Sequence, residues 1–245
     1  MISEAVAVYL LVFCRIMGAL FIIPLFADSI IPRSIRTILC GVIALLITPF
    51  VQQQHNVIDY ANIVVILLAA VKELLIGILL GYMFSLPFWL IENTGNIIDV
   101  QRGEQMGSLY NPSSKLQSSS IGVLIAKGFI VYFIASKGML LLFQLLCESF
   151  RVFSITDLHA IFKINYTTII KFFTNYIYWT VVLALPVIFI LFLVDISLSL
   201  ISSFVPQLNV TVTAMPIKAV VAILLVTLFI GVFYHVGIRQ FPLTI

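Results

Sequence analysis

Hydrophobic residues run along this chain in long blocks rather than in alternation, occupying roughly 5–27, 37–51, 61–91, 119–150, 177–204 and 217–238. Backbone N–H and C=O groups in lipid have to be satisfied internally, so only helices or closed barrels cross a membrane, and these blocks exceed the ~10 residues of a barrel strand. The pattern predicts an all-α integral membrane protein of about six to eight helices arranged as hairpins, some of them bent. The block 61–91 is longer than the ~20 residues that cross a bilayer and is punctuated by Lys72, Glu73 and Pro87, which predicts a long or bent helix. The block 119–150 predicts two helices in a tight hairpin, broken near Ser136, Lys137 and Gly138, because a glycine beside a charge favours a turn.

Polar connections are expected at Asp28–Arg36, Gln52–Tyr60, Glu92–Ser120, Arg151–Asn175 and Val205–Pro216. None is long enough to fold alone, so 1–245 is expected to be a single domain. Within 154–176, Phe162, Tyr166, Ile169, Ile170 and Phe173 interleave with Lys163, Asn165, Lys171 and Asn175, a pattern that suits an amphipathic interfacial helix or a partner-facing one. At the start, Glu4 and Arg15 interrupt any clean signal-peptide pattern, so the first block is expected to be retained as a helix.

Composition narrows the class. Hydrophobic residues make up 62% of the chain and charged residues 9%, against about 25% charged in soluble domains. The net charge of +3 is spread thinly, with no basic block to follow phosphates, so nucleic acid is not an expected partner. Cys14, Cys40 and Cys147 lie in apolar blocks without CxxC spacing, and His55, His159 and His235 lack HExxH spacing, so neither a disulfide framework nor a metal site is expected. GxSxG, P-loop and GxGxxG motifs are absent, so no catalytic residues and no cofactor are expected.

The informative polar residues lie inside the apolar blocks. Arg15, Lys72, Glu73 and Asp195 would each cost at least about 2.5–3.5 kcal/mol at the bilayer centre, so they are expected to face protein or water. As sequence neighbours, Lys72 and Glu73 diverge by about 100° around a helix and are expected to need different partners. Gly77, Gly81 and Ser85 repeat at four-residue spacing and offer a small face on which another helix can pack closely. Asp195, Ser199 and Ser203 repeat the same spacing, with Ser197 and Ser202 beside them, and read either as a polar packing seam or as an ion pathway. Asp195 itself reads as a proton or cation site, or as a carboxylate held by a helix end or a nearby Arg or Lys. With Lys72 it motivates the alternative of a secondary transporter or channel.

The segment from Glu92 to Ser114 carries Gly95, Gly103, Gly107 and the Asn111–Pro112 step, which permit sharp changes of backbone direction. It reads as an ordinary connecting loop or as irregular backbone lining a conduit.

Several elements occur in a fixed order: Lys72-Glu73 with Gly77 and Gly81, then Leu86-Pro87-Phe88-Trp89, Ile98-Asp99 and Gln101-Arg102-Gly103, and finally Pro206-Gln207-Leu208-Asn209-Val210 before Met215-Pro216-Ile217-Lys218. In that order they resemble the T family of type III secretion export proteins, known as SpaR or YscT in injectisomes and FliR in flagella, over most of the chain. The Pro-Phe-Trp and Gln-Arg-Gly elements are similar to the injectisome branch. Two positions depart from the family: Val100 stands where it commonly has Asn, and Ser203 where an Arg often stands.

The resemblance implies a subunit of the bacterial inner membrane that joins R-type and S-type export apparatus subunits and other components. Together they form a helical gate for unfolded secreted proteins, driven by energy supplied elsewhere. It further implies helical hairpins lifted partly out of the lipid. It assigns a gate loop of Arg102, Gly103, Met106, Gly107, Leu109, Tyr110, Asn111 and Pro112, in which Met106, Leu109 and Tyr110 would supply an apolar seal.

Overall fold

The long apolar blocks become seven α-helices among the described residues: α1 (Ile2–Ile22), α2 (Arg33–Gln54), α3 (Ile63–Arg102), α4 (Ser120–Ala135), α5 (Gly138–Val152), α6 (Tyr166–Phe204) and α7 (Val210–Arg239), with a 3₁₀ turn at Pro24–Phe26. The structure is a computed structural model that describes residues 2–28, 30–54, 63–104, 119–155, 157, 166–204 and 210–241. Five helices are long and apolar enough to cross a membrane, and six spans result if α4 and α5 are taken together as one. The chain is an all-α integral membrane protein.

Several sequence expectations are revised or sharpened by the structure. The polar segment after Glu92 is not a loop at its start: α3 continues unbroken to Arg102, giving 40 residues and a length of about 60 Å. Asn, Thr and Gly are poor helix formers, but here each is held. The Thr94 hydroxyl donates to the Leu90 carbonyl at 2.8 Å and the Asn96 amide donates to the Asn93 side chain at 3.0 Å. Gly95 serves close packing rather than a turn, because a Cβ there would stand 2.5 Å from the Cα of Gly122. The chain leaves the helix at Gly103, whose φ of 87° is open to glycine.

Second, α4 and α5 do break at Ser136 and Lys137, with Lys137 in the left-handed region at φ 61°. Third, 166–176 forms the first turns of α6 rather than a separate interfacial helix, while 158–165 lies outside the described residues. The expected connection Val205–Pro216 also shortens, because α7 begins at Val210 and carries Pro216 inside it.

Polar turns are tied down by specific donors. In the Asp28–Arg36 connection, Arg36 donates to the Phe26 carbonyl at 2.8 Å and to Asp28 at 2.6 Å, while its guanidinium stacks 3.8 Å over the Phe21 ring. This arrangement satisfies the backbone carbonyl at the end of the 3₁₀ turn and adds a cation–π contact.

The chain packs as two compact units. The first contains α1, α2, α3 as far as Leu86, and α5. The second contains α3 from Pro87, α4, α6 from Phe173, and α7. Leu11, Ile16, Leu20, Ile76, Leu142 and Leu146 are buried in the first unit. The second has an aromatic core in which the Phe88 ring lies 5.3 Å from Phe129, 5.2 Å from Phe133 and 5.8 Å from Phe241, all edge to face.

Candidate functional site

In the first unit, α1 and α3 cross backbone to backbone. A Cβ on Gly77 would overlap the Arg15 carbonyl oxygen, one on Gly81 would overlap the Ala19 carbonyl oxygen, and one on Gly18 would stand 2.8 Å from the Leu74 carbonyl oxygen. Ser85, one turn further on, donates to the Gly81 carbonyl at 2.7 Å and to the Ile22 carbonyl at 3.2 Å. The small face read at Gly77, Gly81 and Ser85 thus meets α1.

That crossing brings Arg15 onto Glu73, with Nε 2.5 Å from the carboxylate and both side chains fully buried. Lys72 Nζ lies 2.8 Å from the other Glu73 oxygen. The two neighbours do pair, against the expectation drawn from their angular divergence, because the long lysine stem spans the offset. Each also has further partners. Arg15 donates to the carbonyls of Ser149 at 2.9 Å and Phe153 at 2.7 Å, and its guanidinium lies 4.1 Å over the Phe150 ring. Lys72 donates to the carbonyls of Ser154, Ile155 and Asp157 at 3.1, 2.8 and 3.2 Å.

All five carbonyls lie at or just beyond the C-terminal end of α5. A helix C-terminus exposes unpaired carbonyls and carries partial negative charge, so two cations stabilise it, and Glu73 offsets one of them. The three charges form a buried clamp that holds the end of α5 to α1 and α3.

In the second unit a complementary arrangement caps the start of α4. Asp99 Oδ2 accepts from the backbone amides of Ile121 at 2.8 Å and Gly122 at 3.1 Å, and from the Ser119 hydroxyl. Arg102 Nε sits 2.6 Å from the other Asp99 oxygen, and Arg102 Nη2 donates to Glu104 at 2.6 Å. Glu104 accepts from the Ser120 hydroxyl and, at 3.3 Å, from its amide. Burial pushes the Glu104 carboxyl up, and the hydrogen bonds from Ser120 and Arg102 outweigh it, holding the carboxyl below the usual glutamate range. These acceptors occupy the open amides of α4, where negative charge is favoured.

Beside them, Lys218 Nζ pairs with Asp195 at 2.9 Å and donates to the Gln101 carbonyl at 2.9 Å. Lys218 therefore ties the end of α3 to α6 and α7. Asp195 is thereby held by a lysine. Ser197, Ser199 and Ser203 are exposed, and Ser197 and Ser203 donate back to their own helix, to Leu193 at 2.8 Å and Leu200 at 2.7 Å. Val100 is also exposed. Both positions that depart from the family pattern are thus exposed among the described residues.

An open cleft of about 390 Å³ is lined by Arg102, Gly103, Glu104, Ser120, Met215, Pro216 and Ala219. The Gln-Arg-Gly and Met-Pro-Ile-Lys elements, more than 100 residues apart in sequence, meet around it. Of the expected gate loop, Arg102 and Gly103 lie at this cleft. Met106, Gly107, Leu109, Tyr110, Asn111 and Pro112 lie outside the described residues, as do Pro206, Gln207, Leu208 and Asn209.

Arg15, Asp99, Glu104, Ser119 and Lys218 complete these clusters, and sequence reasoning did not place them among the site residues. Ser119 and Ser120 before an apolar block were a legible helix start. Nothing in sequence spacing pairs Arg15 with residues 58 or 134 positions away.

Known proteins resemble this chain in sequence. The family described as "Bacterial export proteins, family 1" matches residues 6–243. The Yop proteins translocation protein T of Yersinia pestis is 31% identical over 232 residues, covering 94% of this chain and 88% of that protein. The surface presentation of antigens protein SpaR of Shigella flexneri is 28% identical, covering 97% and 92%. The flagellar biosynthetic protein FliR of Bacillus subtilis is 29% identical, covering 97% and 91%. Similarity to all three runs through nearly the whole chain, so the chain belongs to the family of bacterial export proteins that contains SpaR, the Yop translocation protein T and FliR.

Proposed function

We propose that this chain is a structural, non-enzymatic subunit of the type III protein secretion apparatus of the injectisome kind. It sits as a multi-pass protein in the bacterial inner membrane and forms, with R-type and S-type subunits, the entry conduit for unfolded secreted proteins. The observation that carries the reading is end-to-end similarity to a translocation protein T at 31% identity. The use of the charges within the helices supports it. Arg15, Lys72, Glu73, Asp99, Asp195 and Lys218 all hold helix ends or one another, as structural groups do.

Secondary transport through Asp195 and Lys72 would need groups that bind and release an ion. Asp195 is neutralised by Lys218, and Lys72 donates to three carbonyls, so the geometry favours scaffolding.

Affinity purification of the tagged chain from gently solubilised membranes is expected to recover R-type and S-type subunits. A lone chain or homodimer that moves small solutes with saturable kinetics would overturn the proposal. Within it, the loop after Arg102 acts as the seal of the closed conduit. Deleting Gly107–Asn111 is expected to leave assembly intact and raise the resting ion conductance of the complex in planar bilayers. Unchanged conductance in an assembled deletion mutant would remove the seal assignment.

A further inference from the structure

The start of α4 is capped in two layers that differ in exposure. In the inner layer the Asp99 carboxylate, 3% exposed, serves the Ile121 and Gly122 amides and the Ser119 hydroxyl. The Ser119 hydroxyl also accepts from the Gly122 amide at 3.0 Å, and the Val123 amide donates to the Ser119 carbonyl at 3.1 Å. In the outer layer the Glu104 carboxylate, 30% exposed, serves the amide and hydroxyl of Ser120, which is itself exposed.

Water satisfies an amide at an exposed helix start, so α4 does not need Glu104 in order to be capped. Loop closure gives the outer layer no separate purpose either. Asp99 and Ser119 are 20 positions apart, Glu104 and Ser120 are 16, and closure entropy changes only with the logarithm of that length. What the outer layer alone fixes is the direction of the chain as it leaves α3. Gly103 makes the turn: its φ is 87°, and an added Cβ would meet nothing nearer than 3.9 Å, so glycine is there for the backbone and not for space. The turn carries Glu104 back to α4, where Arg102 joins the layers, with Nε on Asp99 and Nη2 on Glu104. The end of α3 is a firm post for this arrangement, because Lys218 holds the Gln101 carbonyl at 2.9 Å.

We propose that Glu104 is a positioning residue: with Arg102 and Ser120 it forms an outer clasp that aims the chain leaving α3, and the seal of the closed conduit depends on that aim. This rests on the reading of the loop after Arg102 as the seal. Because the clasp is exposed and the inner layer is not, donors on a passing polypeptide compete with Ser120 for the Glu104 carboxylate while Asp99 keeps α3 and α4 together.

The test measures resting ion conductance of the assembled complex in planar bilayers, beside its yield and thermal midpoint. Glu104→Ala is expected to raise conductance about tenfold, the size of effect that loss of one charge-assisted contact has on a two-state balance, with yield and midpoint unchanged. Ser120→Ala, at an exposed helix start, is expected to raise it less, and the double variant no more than Glu104→Ala alone, because the two act as one contact. Glu104→Asp shortens the reach to Ser120 and is expected to fall between wild type and Glu104→Ala. Asp99→Asn is expected to lower yield and midpoint instead, which separates the inner layer from the outer. Loss of yield in Glu104→Ala would assign that residue to folding and overturn the proposal, as would additive effects of Glu104→Ala and Ser120→Ala. The deletion of Gly107–Asn111 is measured alongside. Unchanged conductance in the deletion refutes the seal itself, whereas a leaky deletion beside a tight Glu104→Ala refutes the clasp alone.

Discussion

Glu73→Ala is expected to destabilise the first unit by about 3–5 kcal/mol, the usual cost of removing one partner from a buried ion pair. The residue is fully buried, and its carboxylate is the anion between Arg15 and Lys72. Without it, two buried cations face one another across a desolvated site, relieved only by the partial negative charge of the α5 C-terminus. Glu73→Gln keeps the size and one acceptor and is expected to fall between wild type and Glu73→Ala.

The apolar replacement Arg15→Met/Lys72→Leu/Glu73→Leu removes every charge, and many buried ion networks tolerate such an exchange. Here it is expected to remain destabilising, because the carbonyls that Arg15 and Lys72 hold at the end of α5 would lose those donors. The measurement is the thermal midpoint of the detergent-solubilised chain, followed by size-exclusion chromatography. A Glu73→Ala midpoint equal to wild type would show that the clamp contributes nothing.

The second large effect is expected at the crossing of α1 and α3. Ordinary overpacking of a core costs about 1–3 kcal/mol because side chains shift, but at Gly77 and Gly81 the obstacle is backbone of the facing helix. Even alanine therefore forces the helices apart, and Gly81→Leu is expected to abolish recovery of monodisperse chain and of the assembled complex. Gly231 supplies the internal control: it sits in α7 with nothing within 4 Å of an added Cβ. Gly231→Ala is expected to be neutral or to stabilise by about 0.5–1 kcal/mol, through the lower backbone entropy cost of alanine in a helix. Normal complex yield from Gly81→Leu would show that the helices do not need this close approach.

These two regions differ in how far the chain announces them. The four-residue spacing of Gly77, Gly81 and Ser85 is visible in sequence because helical periodicity alone places them on one face. The identity of the facing helix is not visible, since α1 lies more than 50 residues earlier. Lys72 and Glu73 are legible as polar groups that need partners in an apolar block. Their mutual pair was not, because angular divergence describes the Cβ positions and ignores the reach of long side chains. The continuation of α3 through Asn93, Thr94, Gly95 and Asn96 ran against local propensity, and tertiary bonds to α4 and α6 override it: Asn93 donates to the Tyr176 hydroxyl at 2.6 Å, and Gly95 packs on Gly122.

The sequence by itself determined the membrane class, the all-α architecture, the approximate helix blocks and the family, because hydrophobic block length and ordered local motifs are properties of the chain taken a few residues at a time. Only the tertiary structure decided which charges meet. Arg15 reaches Glu73 and the end of α5, Asp99 reaches the start of α4, and Lys218 reaches Gln101 and Asp195, in each case across at least 20 residues of chain. Such pairings follow from how helices stack, and unpaired helix ends and charges are costly enough in a dry interior that the stacking brings them together.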